Sequence, residues 1–175
     1  MPRTAIAKPE PVLRTVEILR ALVEKRVDFV VVGGVAVQAH GYLRATADLD
    51  VVPRPTLLNL SRLAEALTEL DAEGWRVRLP VAVTDPQLLK AAPMIPLTTR
   101  DGRLDLLNIA HTAGAPASYD DLRERALVVE LDGLEIAIAG LDDLIRMKRA
   151  AGRPHDLTDI ASLTRSDDEL AAEST

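Results

Sequence analysis

The stretch FVVVGGVAVQAHGYLRATADLDVV, residues Phe29 to Val52, contains the strongest fold signal of the chain. A short apolar run ends at Gly33-Gly34, a helix-like segment follows, and a second apolar run carries Asp48 and Asp50. Side chains alternate between the faces of a β-strand, so these two carboxylates point the same way. They repel each other among valines and leucines, and a divalent cation between them removes that repulsion. Because paired glycines offer backbone N–H groups to phosphate, the stretch predicts a metal–nucleotide site.

The composition predicts a globular protein whose core is built from aliphatic side chains. The 175 residues are 47% hydrophobic and 27% charged, which is typical of folded water-soluble domains. This length fits one domain with a modest second lobe. Only one Phe, one Trp and two Tyr are present, which argues against binding single-stranded nucleic acid by aromatic stacking. The net charge of −6 likewise disfavours broad, nonspecific nucleic-acid binding.

The sequence contains no recognisable targeting signal and no thiol. Its longest apolar stretch, 30–39, is too short to span a bilayer, and glycines interrupt it. No apolar segment typical of a secretory signal precedes Pro9 and Pro11. The absence of cysteine excludes disulfides and thiolate metal sites. We therefore expect a cytoplasmic protein without a membrane partner.

The first half of the chain is predicted to alternate helices with strands. Apolar residues at helical spacing end near Arg26, and a continuous apolar run then stops at the paired glycines. Pro53 ends the second run, and Thr56 is in position to cap the helix that follows. The predicted elements are a helix to Arg26, strands over 27–32 and 47–52, helices over 35–40 and 56–70, and an edge strand over 75–79.

The second half is predicted to consist of hairpins and helices. Two Asp-Gly pairs, Asp101-Gly102 and Asp132-Gly133, are strong signals for tight hairpin turns. The predicted elements are strands over 95–100, 103–109, 127–131 and 134–138, and helices over 118–125, 141–151 and 156–163. This order indicates a mixed α/β or α+β sheet, because a Rossmann array would alternate strand and helix throughout.

One predicted strand face groups residues that suit a metal-bound polyphosphate. If the strand begins early enough, counting back by two from Asp50 places Asp48, Thr46 and Arg44 on the same face. Two carboxylates, a hydroxyl and a guanidinium would then line one surface. The alternative is a solvent-facing strand side whose acids are ordinary surface residues, because Asp-x-Asp is a common pattern.

A third acid lies on a separate predicted strand. Asp105 occurs between two leucines, where a carboxylate costs free energy unless it is paired, hydrogen-bonded or metal-bound. If this strand neighbours 47–52, three carboxylates can hold two divalent ions for in-line displacement at phosphorus. Asp105 can then accept a proton from the attacking hydroxyl. The alternative is an ion pair of Asp105 with Arg103 or Arg100 across the hairpin.

The C-terminal helices carry a lysine within an apolar stripe. Lys148 falls at helical spacing with three apolar residues, so its ammonium group must reach an edge or an anion. Asp156 and Asp159 lie beside the apolar face of the next helix. Either Lys148 forms an interhelical salt bridge with one of them, or it neutralises triphosphate charge while an Asp positions it. Three further basic residues can form an acceptor or phosphate patch: Arg149, Arg153 and His155.

In this order, the motifs resemble the nucleotidyltransferase superfamily with the DNA polymerase β-like fold. Its signature is a Gly-Gly or Gly-Ser turn, a short spacer, Asp-x-Asp and a third acid on a later strand. Here Gly33-Gly34 is followed after thirteen residues by Asp48-Leu49-Asp50, and later by Asp105. The C-terminal motif is similar to that of AbiEii/MenT-type toxins of bacterial toxin–antitoxin systems, and consists of Lys148, Gly152-Arg153, Asp156 and Asp159. His155 departs from it, since many relatives have a lysine before the Asp.

The resemblance implies a fold and a reaction. The fold is a mixed sheet flanked by helices, with a catalytic core over 1–139 and C-terminal helices over 140–175 that complete the site. The reaction is transfer of an NMP group from an NTP such as ATP, with Mg²⁺ or Mn²⁺, to an acceptor hydroxyl. In toxin relatives the acceptor is commonly the tRNA 3′ end, so tRNA and a cognate antitoxin are the implied partners.

The resemblance also implies roles for individual residues. Asp48 and Asp50 would hold Mg²⁺, and Asp105 would complete the metal site and assist deprotonation. The nucleotide would be contacted by Gly33, Gly34, Arg44, Thr46 and Lys148, while Asp156 or Asp159 would orient Lys148 or shape the acceptor side.

Other functions remain open at this point. The same chemistry can modify a protein hydroxyl, as in AMPylation, or a small molecule such as an aminoglycoside. A nucleotidyltransferase-fold antitoxin or binding module would neutralise a partner without turnover. A plain structural domain is the remaining alternative.

Thr46 provides a test of the predicted strand face. A phosphate there would place about two negative charges beside the metal-binding acids, which should abolish activity. The substitution Thr46→Glu is expected to do the same in a nucleotide-transfer assay, and normal turnover of this variant would contradict the placement of Thr46 at the site.

Overall fold

A computed structural model describes residues 11–76 and 83–173, with side chains described as far as residue 165. The strands are β1 (Phe29–Val32), β2 (Asp48–Pro53), β3 (Glu73–Gly74), β4 (Met94–Thr99), β5 (Gly102–Leu107), β6 (Leu127–Leu131) and β7 (Leu134–Ile138). The helices are α1 (Thr15–Glu24), α2 (Gly33–Ala39), α3 (Leu57–Glu69), α4 (Pro86–Ala91), α5 (Tyr119–Glu124), α6 (Leu141–Ala151) and α7 (Pro154–Glu173). No helix in these ranges is long and apolar enough to cross a membrane.

The strands form one mixed sheet in the order β3-β4-β5-β2-β1-β7-β6, so β2 is its central strand. β2 is antiparallel to β1 and parallel to β5, while β1 is parallel to β7 on its other side. The register pairs Asp50 of β2 with Asp105 of β5, and Asp48 with Arg103. The expected adjacency of these strands is therefore confirmed, and the mixed sheet flanked by helices is the expected fold class.

An aliphatic core anchors the strand that carries the paired acids. β1 is buried along its whole length, and α1 contacts both α3 and β7. Leu49 and Val51 of β2 are completely buried and alternate with Asp48 and Asp50. Each buried side chain of this size contributes about 1.5–3 kcal/mol. A slip by one residue would expose the valine and leucine and bury both acids in the core, so the register of β2 is strongly determined.

Several local signals in the sequence are confirmed. The side chains of Thr56 and Ser118 accept hydrogen bonds from the backbone at the starts of α3 and α5. Asp132 and Gly133 have φ angles of 51° and 76°, as the tight turn between β6 and β7 requires. Gly152 adopts the left-handed conformation at the end of α6.

Two predicted strands differ from the observed ones. The strand over 47–52 does not extend back to Arg44 and Thr46, because β5 begins at Gly102, opposite residue 47 in this register, and offers no partner to Thr46 or Arg44. Thr46 instead donates a hydrogen bond from its Oγ1 to the Asp48 carbonyl, a local bond that competes with sheet pairing. The edge strand expected over 75–79 is wrong at Trp75 and Arg76, which are not part of a strand. The edge strand β3 lies two residues earlier, at Glu73–Gly74, and residues 77–79 lie outside the described part.

Two helices have different limits from those predicted. α2 begins at Gly33 rather than at residue 35, because the turn into the helix is made by Gly33 itself, with a φ of 66°. α7 covers Pro154–Glu173 rather than 156–163. Its first residue is proline, which is favoured at that position, and no glycine or proline follows to end the helix.

Asn59 connects β1 and β2 where the start of β1 lies beside the end of β2. Its Oδ1 accepts a hydrogen bond of 2.7 Å from the backbone N–H of Asp28, just before β1. Its Nδ2 donates to the carbonyls of Asp28 and Arg54, at 2.9 and 3.0 Å, and Arg54 follows β2. The side chain is buried, so α3 holds the start of β1 and the end of β2 in place through one amide group.

Replacing Asn59 with Ala is expected to lower the free energy of unfolding by about 2 kcal/mol, because the substitution leaves buried backbone groups without partners. Urea denaturation of the full chain measures this loss. Ser61→Ala, at an exposed position of α3, serves as the control and should change stability by less than about 0.5 kcal/mol. Equal stability of the two variants would contradict the role given to Asn59.

Candidate functional site

Three carboxylates meet at the centre of the sheet. Asp48 and Asp50 extend from the same face of β2, and Asp105 is the direct neighbour of Asp50 on β5. The Asp105 side chain is buried, and those of Asp48 and Asp50 are partly buried. Among the described residues, the Oδ1 atom of Asp105 is buried without a hydrogen-bond partner. A buried acceptor in this state is costly, which marks the position as one prepared for a ligand.

Two of the three carboxyl groups, Asp50 and Asp105, have pKa values above the ordinary range and resist ionisation. Burial, with the nearby charges of Asp48 and Asp105, raises the pKa of Asp50 from 3.8 to about 7. Burial also raises the pKa of Asp105 to about 6; the Arg103 guanidinium opposes this rise, and the Asp48 charge adds to it. Strongly shifted carboxyl groups in one cluster are typical of functional sites.

Arg103 lies between two of the acids. Its Nη2 is 3.4 Å from Asp48 Oδ2 and 3.6 Å from Asp105 Oδ2. The Arg103–Asp105 pair considered as an alternative from the sequence is thus present, extended to Asp48. Arg100 contacts Asp101 instead. Sequence reasoning did not place Arg103 in the site, although its spacing of two residues from Asp105 puts both on one strand face.

The glycine pair allows the strand and helix to approach closely. A Cβ atom on Gly33 would lie 2.0 Å from Asp50 Oδ2, and one on Gly34 would lie 2.4 Å from Thr46 Oγ1. No larger residue fits at either position without displacing these side chains. Thr46 also lies 3.4 Å from Asp48 Oδ1 through its hydroxyl. Thr46 is therefore beside the acids, although it is not on the strand.

Lys148 is buried in a network of ion pairs between α6 and α7. Its Nζ lies 3.1 Å from Asp156 Oδ1 and 2.8 Å from Asp159 Oδ2. Arg44 contacts the same Asp159, with its Nε 2.8 Å from Oδ1. The interhelical salt bridge considered from the sequence is thus present, and it involves both acids.

The basic patch expected from the sequence is only partly assembled. Arg153 contacts Asp156 through its Nε at 2.8 Å, and His155 Nε2 lies 3.6 Å from Asp156 Oδ1. Although burial acts to raise the pKa of Asp156, hydrogen bonds from Arg153 and Lys148 lower it overall. Both Arg153 and His155 are largely exposed, and Arg149 is exposed with no ion pair recorded in the described part of the chain.

A cavity of about 380 Å³ opens beside this cluster. Gly33, Asp50, Lys148 and Arg153 are among the residues that line it. Its other walls are mainly apolar and include Met94, Leu107, Leu144 and Met147. The volume is in the range of small-molecule sites, which are usually apolar with a few polar groups. Arg44, Thr46, Asp48, Asp105, Arg149 and His155 do not line it.

The donor set of the three acids suits a hard divalent cation. Carboxylate oxygens are the ligands that Mg²⁺ and Mn²⁺ prefer, and the unpartnered Asp105 Oδ1 and raised pKa values fit a site lacking positive charge. The acids are not yet arranged around a common point: within the described ranges, no three acidic or histidine side chains are positioned to hold a metal ion. Arg103 lies between Asp48 and Asp105 in this arrangement.

Solved structures with similar folds include the antibiotic-resistance factor ANT(2″)-Ia and a nucleotidyltransferase-like protein. A complex of ANT(2″)-Ia with adenylyl-2″-tobramycin has a TM-score of 0.54 and 15% identity, covering 90% of this chain and 87% of that one. The solution structure of this antibiotic-resistance factor has a TM-score of 0.51 and 16% identity, covering 90% and 82%. An antigenic nucleotidyltransferase-like protein from Paracoccidioides brasiliensis has a TM-score of 0.52 and 16% identity, covering 86% and 77%. At these identities the likeness concerns the fold.

No curated protein matches the chain by sequence. The model of one protein family, described as nucleotidyltransferase of unknown function (DUF6036), matches residues 13–167. This match includes all strands of the sheet and every residue of the acidic cluster. The protein therefore belongs to the DUF6036 nucleotidyltransferase family.

Proposed function

We propose that this protein transfers a nucleoside monophosphate from an NTP to an acceptor hydroxyl and releases pyrophosphate. The observation that carries the proposal is the pairing of Asp50 with Asp105, next to Asp48, at the edge of a cavity that Lys148 also lines. The acceptor oxygen attacks the α-phosphorus, and the bond from that phosphorus to the oxygen bridging to the β-phosphate breaks. Positioning and charge stabilisation supply most of the rate in such reactions.

In this proposal Asp48, Asp50 and Asp105 hold a divalent cation, Mg²⁺ or Mn²⁺. The cation supplies charge neutralisation at the phosphates when it is bound. Asp105 has a buried oxygen without a hydrogen-bond partner among the described residues, so it is suited to accept the proton of the attacking hydroxyl. Burial of this carboxyl group limits competition from water.

Two cations at the cavity are suited to the triphosphate. Lys148 and Arg153 both line the cavity, and each is held by Asp156. Arg44 holds Asp159, which in turn fixes Lys148, so Arg44 acts on the nucleotide through Lys148. Gly33 lines the same cavity, and we assign the backbone N–H groups of Gly33 and Gly34 a phosphate contact there.

We assign the tRNA 3′ end as the leading acceptor, in a toxin that a cognate antitoxin neutralises. The charges lining the cavity support a nucleic-acid acceptor over a polycationic one such as an aminoglycoside. They comprise one carboxylate, Asp50, against the two cations Lys148 and Arg153. Arg149 and His155 are exposed nearby and can contact the acceptor backbone.

A protein hydroxyl or an uncharged small molecule is the second candidate acceptor. The net charge of −6 supports this candidate, because a dedicated tRNA-binding protein usually has a basic surface. The apolar walls of the 380 Å³ cavity also suit a small organic acceptor.

Removing either metal-binding acid is expected to abolish transfer. Incubation with each α-labelled NTP, Mg²⁺, total tRNA and cell lysate should label an acceptor, and Asp48→Ala or Asp105→Asn should reduce labelling at least about a hundredfold. Label on tRNA supports the leading acceptor, and label on a protein or small molecule supports the second. The control is Asp142→Ala, an exposed acid of α6. Absence of acid-dependent label would refute the proposed reaction and favour a binding module.

The raised pKa of Asp50 predicts a stabilising substitution at the site. This pKa is about 7 in the folded chain against an ordinary value of 3.8, so the folded state binds more protons between these pH values. The contribution of Asp50 to stability therefore falls as pH rises from about 4 to about 7.

In EDTA at pH 8, Asp50→Asn is expected to increase the free energy of unfolding by on the order of 2 kcal/mol, because the amide has no charge to bury. Most of the gain should be lost at pH 4, where Asp50 is neutral in the folded state and only about half ionised in the unfolded state. Urea denaturation at the two pH values measures this difference, with Asp142→Asn as the matched control. If Asp50→Asn were less stable than the wild type at pH 8, the ionised Asp50 carboxylate would not destabilise the folded state, which would contradict this prediction.

A further inference from the structure

Arg103 combines stacking on an aromatic ring with long contacts to two acids of the candidate site. Its guanidinium carbon lies 3.6 Å from the ring centre of Trp75, so the cation is stacked on the indole. Its Nη2 approaches both Asp48 and Asp105, at 3.4 and 3.6 Å. Its Nε is buried and has no hydrogen-bond partner in the described part of the chain. The side chain is thus well enclosed but weakly bonded.

The distances show that the carboxylates hold Arg103 loosely. Charge-assisted N–H···O bonds in a tight pair measure about 2.7–2.9 Å. The Lys148–Asp159 ion pair of this protein, at 2.8 Å, reaches that distance, and Arg44 donates a hydrogen bond of 3.1 Å from its Nη2 to Asp159. Arg103 is more than half an ångström farther from each of its two acids than Lys148 is from Asp159. Its position is determined by the indole as much as by the carboxylates.

We propose that Arg103 is a built-in counter-ion of the acidic cluster, which a divalent cation displaces when it binds Asp48 and Asp105. The proposal rests on the proposed function, since it requires that these acids bind a metal. In the metal-free chain, the guanidinium supplies positive charge between two carboxylates that would otherwise repel each other. The arriving cation takes over this charge, and Arg103 moves relative to Trp75.

The arrangement of the acids supports displacement over a shared site. With Arg103 between Asp48 and Asp105, no group of three acidic or histidine side chains among the described residues can hold a metal ion. A guanidinium and a divalent cation also repel each other, because both are positive and would lie within a few ångströms in a buried region. The proposal therefore requires that Arg103 give up its contacts with the acids when the metal binds. Arg103 is a positioning residue that sets the threshold for metal binding.

Trp75 gives this inference a direct readout. It is the single tryptophan of the chain, so the intrinsic indole fluorescence reports on one position. A charged group 3.6 Å from the ring centre perturbs that fluorescence, and its movement changes the signal. Titration of the full chain with Mn²⁺ at pH 8.5, followed by both fluorescence and calorimetry, measures the movement and the affinity together.

The decisive comparison is between Arg103→Gln and Arg100→Gln. Arg100 lies on the same hairpin, is half-exposed and contacts only the neighbouring Asp101 among the described residues. Arg103→Gln is expected to bind Mn²⁺ on the order of tenfold more tightly than the wild type, because the competing charge is gone. Its metal-dependent fluorescence change should be lost. Arg100→Gln should match the wild type in both measurements, and Arg103→Lys should retain part of the competition.

The outcomes separate this inference from the proposed function. Metal binding of equal affinity in the wild type and Arg103→Gln would overturn the counter-ion role and leave the proposed reaction intact. Absence of Mn²⁺ binding in both proteins would overturn the metal site and the inference together. If Arg103→Gln does not fold, as judged by circular dichroism, the wild type and Arg103→Lys decide the question. A wild-type Trp75 signal that does not change on metal saturation would then contradict the displacement.

Discussion

The pairing of Asp50 with Asp105 is the constraint on which the rest of the site depends. Parallel strands β2 and β5 place these carboxylates side by side, partly shielded from water. Two neighbouring acids in this environment cannot both be ionised without nearby positive charge. Burial and the neighbouring carboxylates accordingly raise the pKa of Asp50 to about 7, and burial raises the pKa of Asp105 to about 6. The buried faces of the same strands fix the register, so the fold cannot relieve the conflict by moving them.

Two cationic side chains near these acids, Arg103 and Lys148, are held in different ways. Arg103 contacts the acids loosely from the side of Trp75. Lys148, which lines the cavity, is fixed by Asp156 and Asp159. A loose cation can be exchanged for a metal, whereas a fixed one is suited to stay and bind phosphate. Arg103 lies farther from its acidic partners than Lys148 does from its own. This difference is the physical basis for proposing that a metal displaces Arg103 and that Lys148 binds phosphate.

The sequence allowed the local elements and the acids to be predicted, but not the contacts that bring distant residues together. Strand alternation predicted a shared face for Asp48 and Asp50, and the turn signal at Asp101-Gly102 predicted the strand of Asp105. The position of Thr46 depends on where β5 begins, which only pairing reveals. The stacking of Arg103 on Trp75 joins residues from separate strands and loops, and no periodicity encodes such a contact. For the same reason, the sequence assigned Lys148 to an apolar stripe without selecting between its two acidic partners.

The central claim is that Asp48, Asp50 and Asp105 form a site for a divalent cation beside the nucleotide. Crystals grown with Mn²⁺ and a non-hydrolysable NTP analogue test it directly through the anomalous signal of manganese. The account predicts a manganese peak in contact with these carboxylates, an α-phosphate next to it, and Arg103 withdrawn from Asp48. A nucleotide bound elsewhere, or manganese absent from the three carboxylates at full occupancy of the analogue, would contradict it.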